Sequence, residues 1–119
     1  MKISLIISTY NRPEALRLSL MSAKVQTRIP DEVIIADDGS KENTRELIKN
    51  FAKDFPCPIL HAWQEDKGFR LAKSRNNALR MAHGDYIVFI DGDIIMERHF
   101  IADHERLAEK GYFVIGSRA

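Results

Sequence analysis

Three short polar clusters carry the residue types from which chemistry could be built: Ser8-Thr9-Tyr10-Asn11, Asp37-Asp38-Gly39-Ser40 and Asp91-Gly92-Asp93. Asp91 and Asp93 stand two apart behind an apolar run and repel each other unless a cation joins them. Oxygen-rich sites of this kind suit Mn2+ or Mg2+, which take one or two carboxylates together with substrate phosphates. Asp and Gly are also favoured turn residues, so the triplet taken alone reads equally as a turn. Its position directly after Tyr86–Ile90 favours the metal reading. Asp37 and Asp38 read first as a turn whose charge suits the start of the next helix. Their second reading is as acceptors for a nucleobase N–H or a ribose hydroxyl.

Lys67-Gly68-Phe69-Arg70, with Lys73 and Arg75, forms a basic approach to a helix amino end. Positive charge there opposes the helix dipole, so it gains nothing locally and points to an anion such as a diphosphate. Lys73 reads as a solvated side chain. The four histidines offer less. His99 and His104 flank Asp103 without zinc-helix spacing and read as surface or helix-packing groups, and His61 and His83 read as structural. There is no G-x-G-x-x-G behind a strand, no phosphate-binding G-x-x-x-x-G-K-[ST] and no G-x-S-x-G. Dinucleotide, nucleoside-triphosphatase and serine-hydrolase chemistries therefore lack their motifs.

The clusters need elements to hold them, and strand and helix patterns alternate along the chain. Ile3–Ser8 is a continuous apolar run, expected of a strand buried on both faces. Asn11-Arg12-Pro13-Glu14 opens a helix with a capping residue and proline in the first turn, and Leu16, Leu20 and Ala23 mark its inner face. Glu32–Asp37 is a second strand, and Ser40 can cap a helix striped by Thr44, Leu47, Ile48, Phe51, Ala52 and Phe55. Pro56 and Pro58 end it before a weaker strand, Ile59–Gln64, expected near an edge. A third helix spans Leu71–His83, with Leu71, Arg75, Ala78, Leu79 and Ala82 on one face and Gly84 as its stop. Tyr86–Ile90 is the fourth strand. Phe100, Ile101, His104, Leu107 and Ala108 stripe a last helix, Gly111 ends it, and Tyr112–Ile115 is a fifth strand.

This order predicts an α/β fold of three layers, α/β/α, around a mostly parallel sheet. Ligands of such sheets bind at the carboxyl ends of the strands, where all three polar clusters fall. The composition, 45% hydrophobic and 29% charged, suits one globular domain over residues 1–119. A net charge of +1 gives no argument for nucleic acid or an anionic membrane surface. Cys57 is alone, which excludes an internal disulfide and suits a reducing compartment. The amino end reads as a strand rather than a leader, and no run approaches the ~20 apolar residues of a membrane helix. A cytoplasmic location is expected.

The motifs together resemble the family 2 inverting glycosyltransferases, whose fold is called GT-A. The likeness rests on ISLIISTYNRPEALRLSLMSAKVQT, on EVIIADDGSKENT and on Asn76-Asn77-Ala78 through Asp93, in that order and spacing. Asp66-Lys67-Gly68-Phe69-Arg70, followed by Arg75-Asn76, is similar to chondroitin-polymerase-like transferase domains. The resemblance implies a Rossmann-like half of the GT-A fold that binds a nucleotide diphosphate-sugar, with UDP-sugar as the expected donor. It implies that Ser8 and Tyr10 hold uracil and ribose, that Asp38 reads the uracil N–H, and that Arg70 lies near base and diphosphate. Asp91 matches the ribose-side acid and Asp93 the metal ligand, with Asp91 beside it as a second candidate ligand.

The same resemblance implies inverting transfer to a saccharide or glycoconjugate acceptor, as in polysaccharide biosynthesis. Cleavage of the sugar–phosphate bond leaves negative charge on the diphosphate, which a divalent ion and a basic side chain stabilise. A carboxylate base would take the acceptor proton. Relatives supply that base and a further metal ligand beyond the segment matched here. Glu97, Asp103 and Glu105 do not match it, so no catalytic base is assigned within residues 1–119. The expectation is a fragment without the acceptor-binding half, inactive alone. In relatives a later strand inserts beside the fourth, so its absence predicts an open edge suited to homo-oligomerisation. Two alternatives stand: a haloacid-dehalogenase-type phosphohydrolase, which also places D-x-D after an apolar strand, and a non-catalytic nucleotide-binding or assembly module.

Overall fold

The computed structural model describes residues 1–68 and 70–109. Eight elements alternate: β1 Ile3–Thr9, α1 Pro13–Lys24, β2 Glu32–Asp37, α2 Glu42–Ala52, β3 Ile59–Trp63, α3 Leu71–Met81, β4 Tyr86–Asp91 and α4 Phe100–Glu109. The four strands form one sheet in the order β3-β2-β1-β4, and every pairing is parallel. The fold is α/β with helices on both faces, as the alternating pattern predicts. No helix among the described residues is long and apolar enough to cross a membrane.

The central position of β1 and β2 explains their composition. All residues of both strands are buried, so a continuous apolar run replaces the alternation of a one-sided sheet. Side chains still alternate between faces. Ile3, Leu5 and Ile7 join Leu16, Leu20, Ala23, Ile48 and Ile101 in the larger core, beneath α1, α2 and α4. Ile6, Ile34, Ala36 and Ala62 face the other way and pack with Ala78 of α3. On that second face α3 lies across β1, β2 and β3, and Ile87 and Phe89 of β4 are only partly buried.

Several local expectations are corrected. Asn11 does not cap α1, whose N-cap is Arg12 without a side-chain cap. Asn11 sits at φ 47°, its N–H donates to Ser40 Oγ (2.8 Å), and its Oδ1 accepts from the Lys41 N–H (2.9 Å). Ser40 is therefore engaged across the sheet, and Lys41 is the N-cap of α2. Tertiary bonds between the two loops won over local capping. α3 ends at Met81 with extended Ala82, before Gly84. Gly84 serves close approach instead, because a Cβ there would collide with Ser4. Leu79, placed on the inner face by spacing, is 44% exposed. β3 does lie at the sheet edge. Gly111 and the strand expected at 112–115 lie outside the described residues.

At the amino ends of the strands, a buried carboxylate ties three chain segments together. Glu32 accepts from Ser4 Oγ (2.7 Å), the His83 N–H (2.6 Å) and His83 Nδ1 (3.0 Å), and the Gly84 N–H donates to Ser4 Oγ (2.9 Å). Burial pushes the Glu32 carboxyl up, but these bonds outweigh it and hold it below its ordinary 4.5. A depressed carboxyl contributes stability above its unfolded value and loses it as pH falls through the folded one. We therefore expect thermal stability to decline as pH is lowered from about 5, and Glu32→Gln to flatten that decline. Melting temperatures of both proteins between pH 7 and 3 would check this, and parallel curves would remove Glu32 from the acid response.

Candidate functional site

The alternation of side chains decides which polar groups meet. Ser4, Ile6 and Ser8 share the α3 face of β1, as Ile34 and Ala36 do on β2 and Ile87 and Phe89 on β4. Carried on to the strand ends, the same alternation puts Ser8, Asp38, Gln64 and Asp91 on the α3 side. Asp37 falls on the opposite face, where Oδ2 meets His61 Nε2 (2.7 Å) and Oδ1 accepts from the Ser40 N–H (2.8 Å). The two neighbouring acids thus separate into a structural member, Asp37, and a site member, Asp38.

A cleft of about 360 Å3 opens at the carboxyl ends of β1, β2 and β4. Ser8, Tyr10, Asp38, Asp91 and Asp93 all line it, so five of the six residues singled out from sequence converge. Arg70 is the sixth and is not among the lining residues. Its Nη2 donates to the Glu65 carbonyl (2.8 Å), and its Nε is buried with no hydrogen-bond partner. What Arg70 gives the site is its backbone N–H, which donates to Asp38 Oδ2 (2.7 Å). The cations in the cleft wall are Arg12, from the start of α1, and Arg75, from the first turns of α3. Arg12 was not anticipated, because it reads as an ordinary residue before a helix-opening proline. Thr9, Leu71 and Gly92 also line the cleft.

Asp91 is opposite Ser8 in the β1–β4 register, and its Oδ1 accepts from Ser8 Oγ (3.2 Å) and Arg75 Nη2 (3.3 Å). The triplet is also a turn, with the Ile94 N–H donating to the Asp91 carbonyl (3.0 Å), so both readings of its sequence hold at once. A buried polar stripe on α1 fixes that turn. Ser19 Oγ donates to the carbonyls of Gly92 (3.1 Å) and Ile94 (2.5 Å), and the Met96 N–H donates to Ser22 Oγ (3.0 Å). Gln26, just past α1, accepts from the Ile101 N–H (3.0 Å). Ser19, Ser22 and Gln26 at helical spacing were the missed signal.

Asp91 and Asp93 offer a cation two carboxylates on one cleft wall. No group of three or more metal-ligating side chains exists among the described residues. That donor set fits a hard ion such as Mg2+ or Mn2+, which takes few protein carboxylates and fills its shell with phosphate oxygens and water. It does not fit a closed structural zinc site. Tyr10 is exposed at the rim, and its hydroxyl donates to Asp66 Oδ2 (2.7 Å). That bond, with the carboxylate's charge, raises the phenol above its ordinary value.

A parallel α/β sheet with a cleft of acids and arginines at its carboxyl edge defines the class as an α/β domain of the kind that takes its ligand at the carboxyl ends of the strands. Residues 4–119 match glycosyl transferase family 2, and the chain belongs to that family. It is 40% identical to chondroitin synthase of Escherichia coli over 93 residues, 77% of this chain and 13% of that protein. The fold superposes on S. aureus TarS 1-349 in complex with UDP-GlcNAc with a TM-score of 0.81, at 26% identity, covering 92% of this chain and 32% of that one. The mannosyltransferase PcManGT of Pyrobaculum calidifontis, in complex with GDP-Man and Mn2+, gives a TM-score of 0.78 at 26% identity, covering 90% and 32%. The sheet is thus the Rossmann-like part of a GT-A fold, and the phosphohydrolase alternative falls. The chain spans 27%, 22% and 13% of the lengths of three of its curated relatives.

Asp66, in the segment that follows β3, rests on Gly39. A Cβ at Gly39 would lie 2.6 Å from Asp66 N and Cβ, and φ there is +97°. Gly68 has φ +86° with nothing within 4 Å of its virtual Cβ, which separates backbone strain from collision. Gly39→Ala should cost about 1–3 kcal/mol more than Gly68→Ala, because only the first adds a steric clash. Urea unfolding of the two variants measures the difference, and equal costs would show that the loop yields freely.

Proposed function

We propose that this chain is the donor-binding part of an inverting glycosyltransferase that uses a UDP-sugar with Mn2+ or Mg2+ and a saccharide or glycoconjugate acceptor. The observation that carries the reading is the convergence of Ser8, Tyr10, Asp38, Asp91 and Asp93 with Arg12 and Arg75 in one cleft. Its chemistry matches the parts of a nucleoside diphosphate-sugar. Asp38 is 3% exposed and held by two donors, a fixed acceptor for a base N–H. Ser8 and Tyr10 bring hydroxyls to the base and ribose. Arg12 and Arg75 can meet the diphosphate, where negative charge grows as the sugar departs.

Asp93 and Asp91 would hold the divalent cation, which would supply further neutralisation of the negative charge on that leaving group. Arg75 is held by Asp91 (3.3 Å), so the same carboxylate orients the guanidinium that would face the phosphates. UDP is favoured as the carrier by the UDP-GlcNAc complex of TarS, the metal by the Mn2+ complex of PcManGT, and a polysaccharide acceptor by the likeness to chondroitin synthase. No described residue is assigned as the base that receives the acceptor proton.

Calorimetric titration of UDP into the chain, with and without Mn2+ and with ADP as control, tests the reading. We expect Mn2+ to strengthen UDP binding and ADP to bind weakly in either condition. Asp93→Asn should remove the metal enhancement while leaving metal-free UDP binding in place. An enhancement that survives the substitution takes Asp93 out of the site, and a folded chain indifferent to UDP overturns the assignment.

A further inference from the structure

Asp91 and Asp93 reach the cleft by different means. Asp91 closes β4, and its Oδ1 is oriented by Ser8 Oγ and Arg75 Nη2. Asp93 is exposed, and among the described residues no hydrogen bond or ion pair holds its carboxylate. Residues 92–99 form neither helix nor strand. The direction of the Asp93 side chain therefore depends on what fixes the backbone that bears it.

That backbone is laid along α1. Ser19 Oγ lies 3.1 Å from the Gly92 carbonyl and 2.5 Å from the Ile94 carbonyl, so one hydroxyl reaches the carbonyls on either side of Asp93. Three residues along the helix, Ser22 Oγ accepts from the Met96 N–H (3.0 Å). Just past α1, Gln26 Nε2 donates to the Glu97 carbonyl (2.8 Å) and its Oε1 accepts from the Ile101 N–H (3.0 Å). The Thr27 N–H then donates to the Arg98 carbonyl (2.9 Å). These contacts run the same way along both segments, and polar side chains of a helix take the place of a neighbouring strand. Ser19 is fully buried and Ser22 and Gln26 nearly so, which keeps water from competing for the bonds. On its other side Gly92 is pressed against β1, where a Cβ would lie 2.4 Å from the Ser8 carbonyl oxygen. The turn that bears Asp93 is thus held by β1 and by Ser19.

We propose that Ser19 is a positioning residue for the metal: by fixing the two carbonyls that flank Asp93, it sets the affinity of the site for a divalent cation. This rests on the donor-site reading above and adds a determinant that lies outside the cleft, since Ser19 is not among its lining residues. A carboxylate on a mobile turn loses backbone and side-chain freedom when it takes an ion, whereas one already held loses little. Partners of this outer kind are worth about 10- to 100-fold in metal affinity. Ser22, bound three residues beyond Asp93, serves the fold and not the ion.

The test separates metal affinity from stability in three variants. Ser19→Ala and Ser22→Ala each remove one buried hydroxyl and should lower the melting temperature by similar amounts. Mn2+ binding in the presence of UDP, read by electron spin resonance, should weaken about 10- to 100-fold in Ser19→Ala and stay close to wild type in Ser22→Ala. UDP affinity without metal should be unchanged in both. Ser19→Thr keeps the hydroxyl while its added methyl crowds a fully buried position, so it should lose stability and retain Mn2+ affinity. Amide exchange of the ligand-free chain gives a second readout. The Ile94 N–H, bonded to the Asp91 carbonyl, should exchange faster in Ser19→Ala than in Ser22→Ala. Mn2+ affinity that falls in step with stability across the variants makes Ser19 merely structural and overturns the proposal. Wild-type metal enhancement that survives in Ser19→Ala overturns the role of Ser19 alone. A folded wild-type chain whose UDP binding Mn2+ does not strengthen overturns the donor-site reading, and the role of Ser19 with it.

Discussion

The two-residue period of side chains in a sheet covered on both faces is the constraint on which the rest of this structure depends. Because β1 and β2 are buried on both sides, each side chain must belong to one of two separate cores. The polar residues at the strand ends inherit that division. Asp37 follows Val33 and Ile35 to the α1–α2 side and binds His61 and the Ser40 N–H, while Asp38 follows Ile34 and Ala36 to the α3 side and faces the cleft. A slip of one residue in register would exchange the two acids and dissolve the site.

Around that division, buried polar side chains do the positioning that apolar packing cannot. Ser19, Ser22 and Gln26 hold the segment that follows the acid triplet, and Asn11 and Ser40 lock the loops after β1 and β2 to one another. Each satisfies backbone groups that would otherwise be stranded away from water. At the opposite end of the sheet, Glu32 joins Ser4 and His83 in the same manner. The carboxyl end of the sheet differs in turning polar side chains toward a cleft. Arg12, Asp91 and Asp93 all face the cleft, and the Thr9 hydroxyl is buried with no partner.

His104 illustrates how burial rather than chemistry can account for a conspicuous residue. It packs against the Phe100 ring at 4.7 Å and shares a hydrogen bond with Tyr86 Oη at 3.1 Å. Burial holds its imidazole below the ordinary value. Its place is on the inner stripe of α4, as its spacing with Ile101 indicates.

Much of the architecture was legible in the residues themselves. The apolar runs placed β2 at its observed bounds and β1 and β4 to within one residue, and the helices followed from 3.6-residue stripes. The alternating order implied a parallel sheet, and with it the edge where Ser8, Asp38 and Asp91 gather. Local chemistry alone could not show that Asn11 and Ser40 would bind across loops instead of capping helices, since both partners were distant in sequence. Nor could it show that Leu79 would face outward or that Arg70 would contribute its backbone in place of its guanidinium. Periodicity and turn chemistry are short-range properties, and they determined the elements, their order and the sheet edge that bears the polar clusters. The pairing of Asp38 with Gln64, of Asp91 with Arg75 and of Gly39 with Asp66 joins residues 16 to 27 apart, and only the packing of α3 and its loop onto the sheet decided it.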